Sequence, residues 1–305
     1  MEQLSFSETR YINAHMDYGE RLKNKAYFNR CYELPGNRLS IYDKQVENGI
    51  VKLFAKKAQK ITMIAKDAND NTATLEFWVK RKEVSANKKG KSFNYTFPYN
   101  QVNSLNREDL NLSFPKGCFY ENLYFKYEIQ GTDNGFYAPI HRIHNEEIPV
   151  HKYFSIGIKP SRNIPENLRR RAYIAHIDDE GTLVNCGGNW KNGKLYTKVR
   201  KLGDYSICID DTPPTVTAIK FSSNMKGYNR MSFKVVDNMD VGGKGKGLSF
   251  SASVDGKWIL MEHDGKKDLY THEFDGRIKA GTHQLKIIAK DNRGNTTVYQ
   301  REFIR

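Results

Sequence analysis

Ile64-Ala65-Lys66-Asp67 followed by Asn71-Thr72 recurs as Ile288-Ala289-Lys290-Asp291 followed by Asn295-Thr296. Each copy places an apolar strand end before a short polar turn and restarts a strand with Thr. Asp and Asn side chains hydrogen-bond the backbone of such turns, and β-branched residues favour the pleated conformation that follows. The repeat therefore predicts two copies of one β-hairpin. As a device it is structural before it is functional, because turn chemistry alone explains every residue in it.

Working outward from the two copies, period-2 alternation dominates. Leu110, Leu112 and Phe114 alternate with polar residues, as do Leu123, Phe125, Tyr127 and Ile129. Met231, Phe233 and Val235 do the same, then Leu285, Ile287 and Ala289, each run bounded by Gly, Asn, Asp or Pro. Such runs predict half-buried strands. Val254-Asp255-Gly256-Lys257 adds an Asp-Gly hairpin turn, in which both central residues need positive φ. Helical signals are few: Asn163-Ile164-Pro165-Glu166-Asn167-Leu168, with Asn163 as the cap, and part of Tyr18 to Arg30. The expectation is an all-β chain of tandem Ig-like antiparallel β-sandwich domains. Leu202-Gly203-Asp204-Tyr205 before Ile207 to Ile209 resembles a tyrosine corner.

Two breaks divide the chain. Lys80-Arg81-Lys82 through Lys88-Lys89-Gly90-Lys91 is basic and weakly apolar, and Asp210-Asp211-Thr212-Pro213-Pro214 cannot continue a ladder. The division is 1–82, a basic linker at 83–90, a central sandwich at 91–210 and a C-terminal Ig-like sandwich at 211–305. The first segment reads as a partial, truncated sandwich. Only about 65 residues precede Lys66, against about 79 between Asp211 and Lys290, and Asp17 to Glu47 resembles a polar excursion. Either that excursion supplies the missing strands or the chain begins inside a longer protein, the reading favoured here.

The net charge of +14, from 49 Lys+Arg against 35 Asp+Glu, favours anionic partners such as nucleic acid, acidic lipid or envelope polymers. Lys80-Arg81-Lys82, Arg169-Arg170-Arg171 and Lys244-Gly245-Lys246 lie in different segments, lack interleaved aromatics, and accompany no recognition helix, which argues against nucleic acid. Gly242 to Gly247 carries no Walker pattern. No apolar run is long enough to span a membrane, and Met1 to Ser5 lacks the tiers of a secretory signal. Cys31, Cys118, Cys186 and Cys208 show neither metal-finger nor C-x-x-C spacing. They read as buried small hydrophobes or free thiols, with one bridge among Cys118, Cys186 and Cys208 as the alternative.

Candidate chemistry is thin. His141-Arg142-Ile143-His144 with Glu146, Glu147 and His151 gathers metal-capable residues, but Pro139 and Pro149 bracket it, and on a strand i and i+3 point to opposite faces. Loop charges or a buried structural His are the expected reading, and zinc at this cluster is the enzymatic alternative. Asp237, Asp240 and Asp291 could meet at the end of the last sandwich and hold calcium, yet EF-hand spacing is absent and ordinary turns suffice. No G-x-S-x-G and no obvious pair of unlike carboxylates points to hydrolysis. Trp78, Trp190 and Trp258 fall one per segment and read as core aromatics, although Gly187-Gly188-Asn189-Trp190 with Gly193 also suits a sugar platform.

Six segments carry a family resemblance: Phe6 to His15, Leu34 to Tyr42, Pro149 to Phe154, Ile164 to Leu168, Gly187-Gly188-Asn189-Trp190, and Asp255 to Glu262. Together they resemble the region that follows the catalytic domain in lysostaphin-type zinc metallopeptidases, the peptidoglycan endopeptidases of Gram-negative anaerobes. The resemblance implies a zinc domain first and Ig-like sandwiches after it, with Leu4 to His15 inside the first sandwich. It implies a periplasmic or cell-surface location. Partners would be the peptidase domain and, through charge, peptidoglycan or another anionic polymer. In that family zinc is held by a His and an Asp of one motif and a His of a separate H-x-H. The histidines here, His15, His141, His144, His151, His176, His263, His272 and His283, include no H-x-H and no H-E-x-x-H. No catalytic, cofactor-binding or metal residue is carried over. The expected role is a non-catalytic accessory region that positions a peptidase domain, with a surface adhesin or glycan-binding module as the alternative.

Overall fold

The structure, a computed structural model, describes residues 8–54, 57–82, 92–131, 135–241 and 247–305. It is mostly strand, 44%, with 8% helix, in several antiparallel sheets. The all-β sandwich class read from the alternation is what the chain adopts. The basic linker at 83–90 and the Lys244-Gly245-Lys246 run lie outside the described residues. Chain compactness separates two units. One comprises 1–103, 115–126 and 146–152; the other comprises 104–114, 127–145 and 153–305.

The first unit is poor in sheet. Tyr18–Asn24 is a short helix capped by the Asp17 carboxylate, which accepts from the Glu20 amide, and ended by Lys25 in the left-handed region. Ala14, Leu34 and Tyr120 form a small buried cluster. Gly36 passes so close to Tyr120 that a Cβ there would sit 2.7 Å from its carbonyl oxygen. The first repeat copy is the hairpin Ala58–Lys66 with Thr72–Lys80, paired from Ala58 with Lys80 to Lys66 with Thr72. Among the described residues it is a two-stranded sheet by itself. A second short pair, Tyr95–Phe97 with Leu123–Phe125, stacks Phe97 on Phe125 at 4.6 Å.

In the second unit, one sheet has six strands, ordered 240–241, 183–185, 172–177, 203–209, 140–143 and 127–130. Its companion has five, ordered 189–191, 194–199, 154–158, 110–114 and 103–106. Leu110, Leu112 and Phe114 alternate inward as expected, and Phe114 packs on Phe154 at 4.5 Å. The tyrosine corner is present: Tyr205 is buried and its hydroxyl donates to the Lys201 carbonyl at 2.8 Å.

The remaining eight strands make a two-sheet sandwich. One sheet runs 215–220, 230–236, 269–273 and 262–264, and the other 257–258, 249–254, 282–290 and 296–304. Met231 and Phe233 from the first face Ala252, Val254, Leu285, Ile287 and Phe303 from the second in one buried cluster. Each fully buried aliphatic or Phe side chain contributes about 1.5–3 kcal/mol from transfer out of water. Asp255 at φ 51° and Gly256 at φ 76° form the expected two-residue turn, with Val254 paired to Lys257.

Three local readings need correction. The segment expected as a helix from Asn163 is a 3-10 turn over Glu166–Arg171, with Pro165 rather than Asn163 at its start and no side-chain cap. Trp78 and Trp258 are each 67% exposed. Neither is a core aromatic: Trp78 lies on a hairpin that pairs with no other strand among the described residues, and Trp258 on a two-residue edge strand. Trp190, half-buried, is also on an edge strand.

Candidate functional site

Within the second unit, side-chain hydrogen bonds tie the six- and five-stranded pair of sheets to the C-terminal sandwich at a joint. Asp210 follows the strand Gly203–Ile209, Asp237 follows Arg230–Val236, and Asp291 follows Thr282–Lys290. Three strand ends thus deliver three carboxylates, whose oxygens lie within 4.8 Å of one another. Two of the three acids singled out in the sequence, Asp237 and Asp291, meet here. The third member is Asp210. It is the last residue before a proline-rich break, and alternation cannot foresee that the following segment folds back beside it. Asp240 lies in a short strand parallel to Leu183–Asn185 that extends the six-stranded sheet, and its side chain falls outside what the structure describes.

The second repeat copy supplies most of the joint. The Asp291 carboxylate accepts from the Asn295 amide at 2.9 Å, the Asn295 Nδ2 at 2.7 Å and the Arg293 amide at 2.7 Å. Asn295 Nδ2 also donates to the Asp210 carbonyl at 2.8 Å. Asn185 Nδ2 donates to Asn292 Oδ1 at 3.1 Å. Arg293 reaches across to the carbonyls of Ala172 at 3.0 Å and Gly188 at 3.3 Å, and its Nε donates to Asn292. Pairing backbone carbonyls with a guanidinium satisfies groups that burial would otherwise penalise.

Electrostatics at the joint are strained toward protonation. Burial, and then the neighbouring carboxylates of Asp291 and Asp237, raise Asp210 to about 6. Burial and the Asp291 charge raise Asp237 as well. Asp210 is 3% exposed, and its Oδ2 has no hydrogen-bond partner among the described residues. Asn295, 2% exposed, likewise has an unpartnered Oδ1.

Beside the joint runs an open groove of about 920 Å³, lined by Asn189, Trp190, Tyr196, Lys198, Lys290 and Arg293 among others. Trp190 is tethered through its indole N–H to the Arg169 carbonyl at 2.8 Å, and the Arg169 guanidinium lies 4.8 Å over its ring. One aromatic face is therefore occupied by a cation.

The His141 to His151 run is divided between the two units and its histidines have structural partners. His141 is fully buried with Tyr127 Oη at 2.8 Å from Nδ1, and burial holds its pKa down to about 4. His151 stacks on Tyr11 at 4.2 Å and hydrogen-bonds the Tyr120 hydroxyl. Glu147 pairs with Lys23 at 2.7 Å. Elsewhere His176 contacts the Leu202 carbonyl, His272 that of Leu260, and His283 the Asp255 carboxylate. These are not the histidine arrangements a catalytic zinc requires. The four cysteines are free thiols, Cys31 exposed and the others buried; desolvation pushes Cys118 and Cys208 to about 12 and Cys186 to about 11, which keeps them protonated.

A family model described as a Zu5-like domain matches residues 94–210. No curated protein matches the chain. Among solved structures, a β-1,2-glucanase from Parabacteroides distasonis is similar at 11% identity and a TM-score of 0.17, over 70% of this chain and 40% of that one. The chain thus spans well under half of that enzyme, and a likeness at this level says nothing about activity. Neither match is a lysostaphin-type peptidase. What the comparisons add to the geometry is that residues 94–210 of this all-β chain are similar to a Zu5-like domain.

Proposed function

We propose that the chain is a non-catalytic accessory region whose sandwiches position a lysostaphin-type zinc peptidase domain at the cell wall, in the periplasm or at the cell surface. The observation that carries the scaffolding part is the joint. A strand from the 211–305 segment completes a sheet of the preceding sandwich, and Arg293, Asn292 and Asn295 tie the two across it. A fixed joint suits a spacer better than it suits a moving enzyme cleft. Zinc belongs, on this reading, to the peptidase domain, since the described histidines here are engaged in structural contacts. Net charge supplies attraction to an anionic wall polymer.

A glycan-binding module is the second reading, favoured by the groove beside Trp190 and Tyr196. Co-sedimentation with purified sacculi, run beside a panel of soluble glycans, separates them. The accessory reading expects retention on sacculi that weakens as salt rises, and no preference among neutral glycans. Salt-insensitive binding to one soluble glycan, lost in Trp190→Ala, would replace it with the second reading.

A further inference from the structure

We propose that Asp210, Asp237 and Asp291 form a calcium site that locks the joint between the Zu5-like segment and the C-terminal sandwich. The carboxylate oxygens lie within 4.8 Å of one another. That is about twice a calcium–oxygen distance, the span expected of ligands across one ion. Three negative charges at this separation repel, and a cation among them relieves the repulsion without a proton. The nearby cation, Arg293, attracts Asp291 and Asp210 through space, but its hydrogen bonds go to the carbonyls of Ala172 and Gly188 and to Asn292, so it ligates none of the three carboxylates.

The independent observation is the sealed oxygen. Asp210 is 97% removed from solvent, and its Oδ2 meets no donor among the described residues. A buried carboxylate oxygen without a donor is costly, and a hard cation is the ligand that satisfies it without supplying a proton. Asn295 Oδ1 is a second buried oxygen lacking a donor, on a side chain whose Nδ2 already bridges Asp291 and the Asp210 carbonyl. All of the candidate ligands are oxygens, which selects a hard ion over zinc or copper. Calcium tolerates the irregular geometry of three separate strand ends, whereas magnesium demands a near-ideal octahedron. The inference stands apart from the accessory reading, since a calcium-locked joint serves a glycan-binding module equally.

The test is titration calorimetry of the full chain, freed of metal with EDTA, against calcium chloride and separately magnesium chloride, with thermal melts in parallel. We expect one calcium per chain, a rise of several degrees in Tm at millimolar calcium, and a weaker response to magnesium. Asp237→Asn removes a ligand whose only described bond is to the Asn238 amide, so it should fold without metal while losing at least tenfold in calcium affinity. Glu166→Gln, on an exposed turn, should bind as the parent does. No binding heat with no Tm shift, unchanged affinity in Asp237→Asn, or magnesium binding as tightly as calcium would overturn the assignment.

Discussion

The two copies of the repeated hairpin have the same turn and opposite fates. Their registers superpose residue for residue: Ala58 with Lys80 to Lys66 with Thr72 in one, Thr282 with Ile304 to Lys290 with Thr296 in the other. The turns match bond for bond. Asn71 donates to the Asp67 carboxylate through its amide at 2.9 Å and Nδ2 at 2.8 Å, as Asn295 does to Asp291 at 2.9 and 2.7 Å. Yet Ile287 is fully buried, while Met63 at the corresponding position is 45% exposed. Leu75, Phe77 and Trp78 are exposed as well. Local sequence sets the hairpin and its register, and an opposing sheet decides whether its apolar face becomes core. In the C-terminal copy, Met231 and Phe233 supply that sheet.

The sharpest way to break the comparison is a matched pair of truncations. Ile287→Ala should cost about 2–5 kcal/mol by transfer and cavity terms, and Met63→Ala no more than about 0.5 kcal/mol. Urea unfolding of the two variants measures both. Equal losses would mean that the first hairpin is covered in solution as the second is.

A second expectation concerns acid, which acts on packed regions and spares bare ones. His141 in the folded chain resists protonation until about pH 4, whereas the unfolded chain accepts the proton near 6.5. Its contribution is therefore present above 6.5 and is lost as pH falls through this window toward 4, by up to ~3 kcal/mol. Asp210, raised to about 6, works in the opposite sense: the folded state holds its proton to higher pH, so that contribution falls as pH rises from the unfolded value toward 6. The readout is accordingly the difference between wild type and His141→Phe. That difference should shrink as pH drops from 7 to 4.5 in urea melts, and a pH-independent difference would remove His141 as the cause.

The smallest effect sharpens the turn comparison. Asn295→Ala breaks buried bonds to Asp291 and to the Asp210 carbonyl and should cost about 1–3 kcal/mol. Asn71→Ala breaks the same local bonds in exposed surroundings and should cost a few tenths. Thermal melts of the two variants distinguish a turn used only locally from one recruited into a joint.

Alternation in Leu110 to Phe114 and Met231 to Val235, the Asp255-Gly256 turn and the Tyr205 corner were all legible, because each is a local rule with a fixed spacing. The exposure of Trp78 and Trp258 was not legible, because residue size says nothing about whether a covering sheet exists. Two of the three carboxylates of the joint were legible: Asp237 and Asp291 carry visible turn chemistry. Asp210 was visible only as a domain break, since its meeting with them depends on long-range packing that no period encodes. The His141 run resolved into structural contacts for a related reason. His141 lies on the strand Ile140–Ile143 and His151 in the other unit, and Tyr127 and Tyr120 each hydrogen-bond the Nδ1 of one of them.

The claim on which the functional account rests is that these residues position and do not cut. Purified chain supplied with zinc, incubated with sacculi and followed by chromatography of released muropeptides, tests it directly. The account predicts protein bound to the pellet and no release above a buffer control. Chelator-sensitive release that disappears in a histidine variant such as His151→Ala would contradict it.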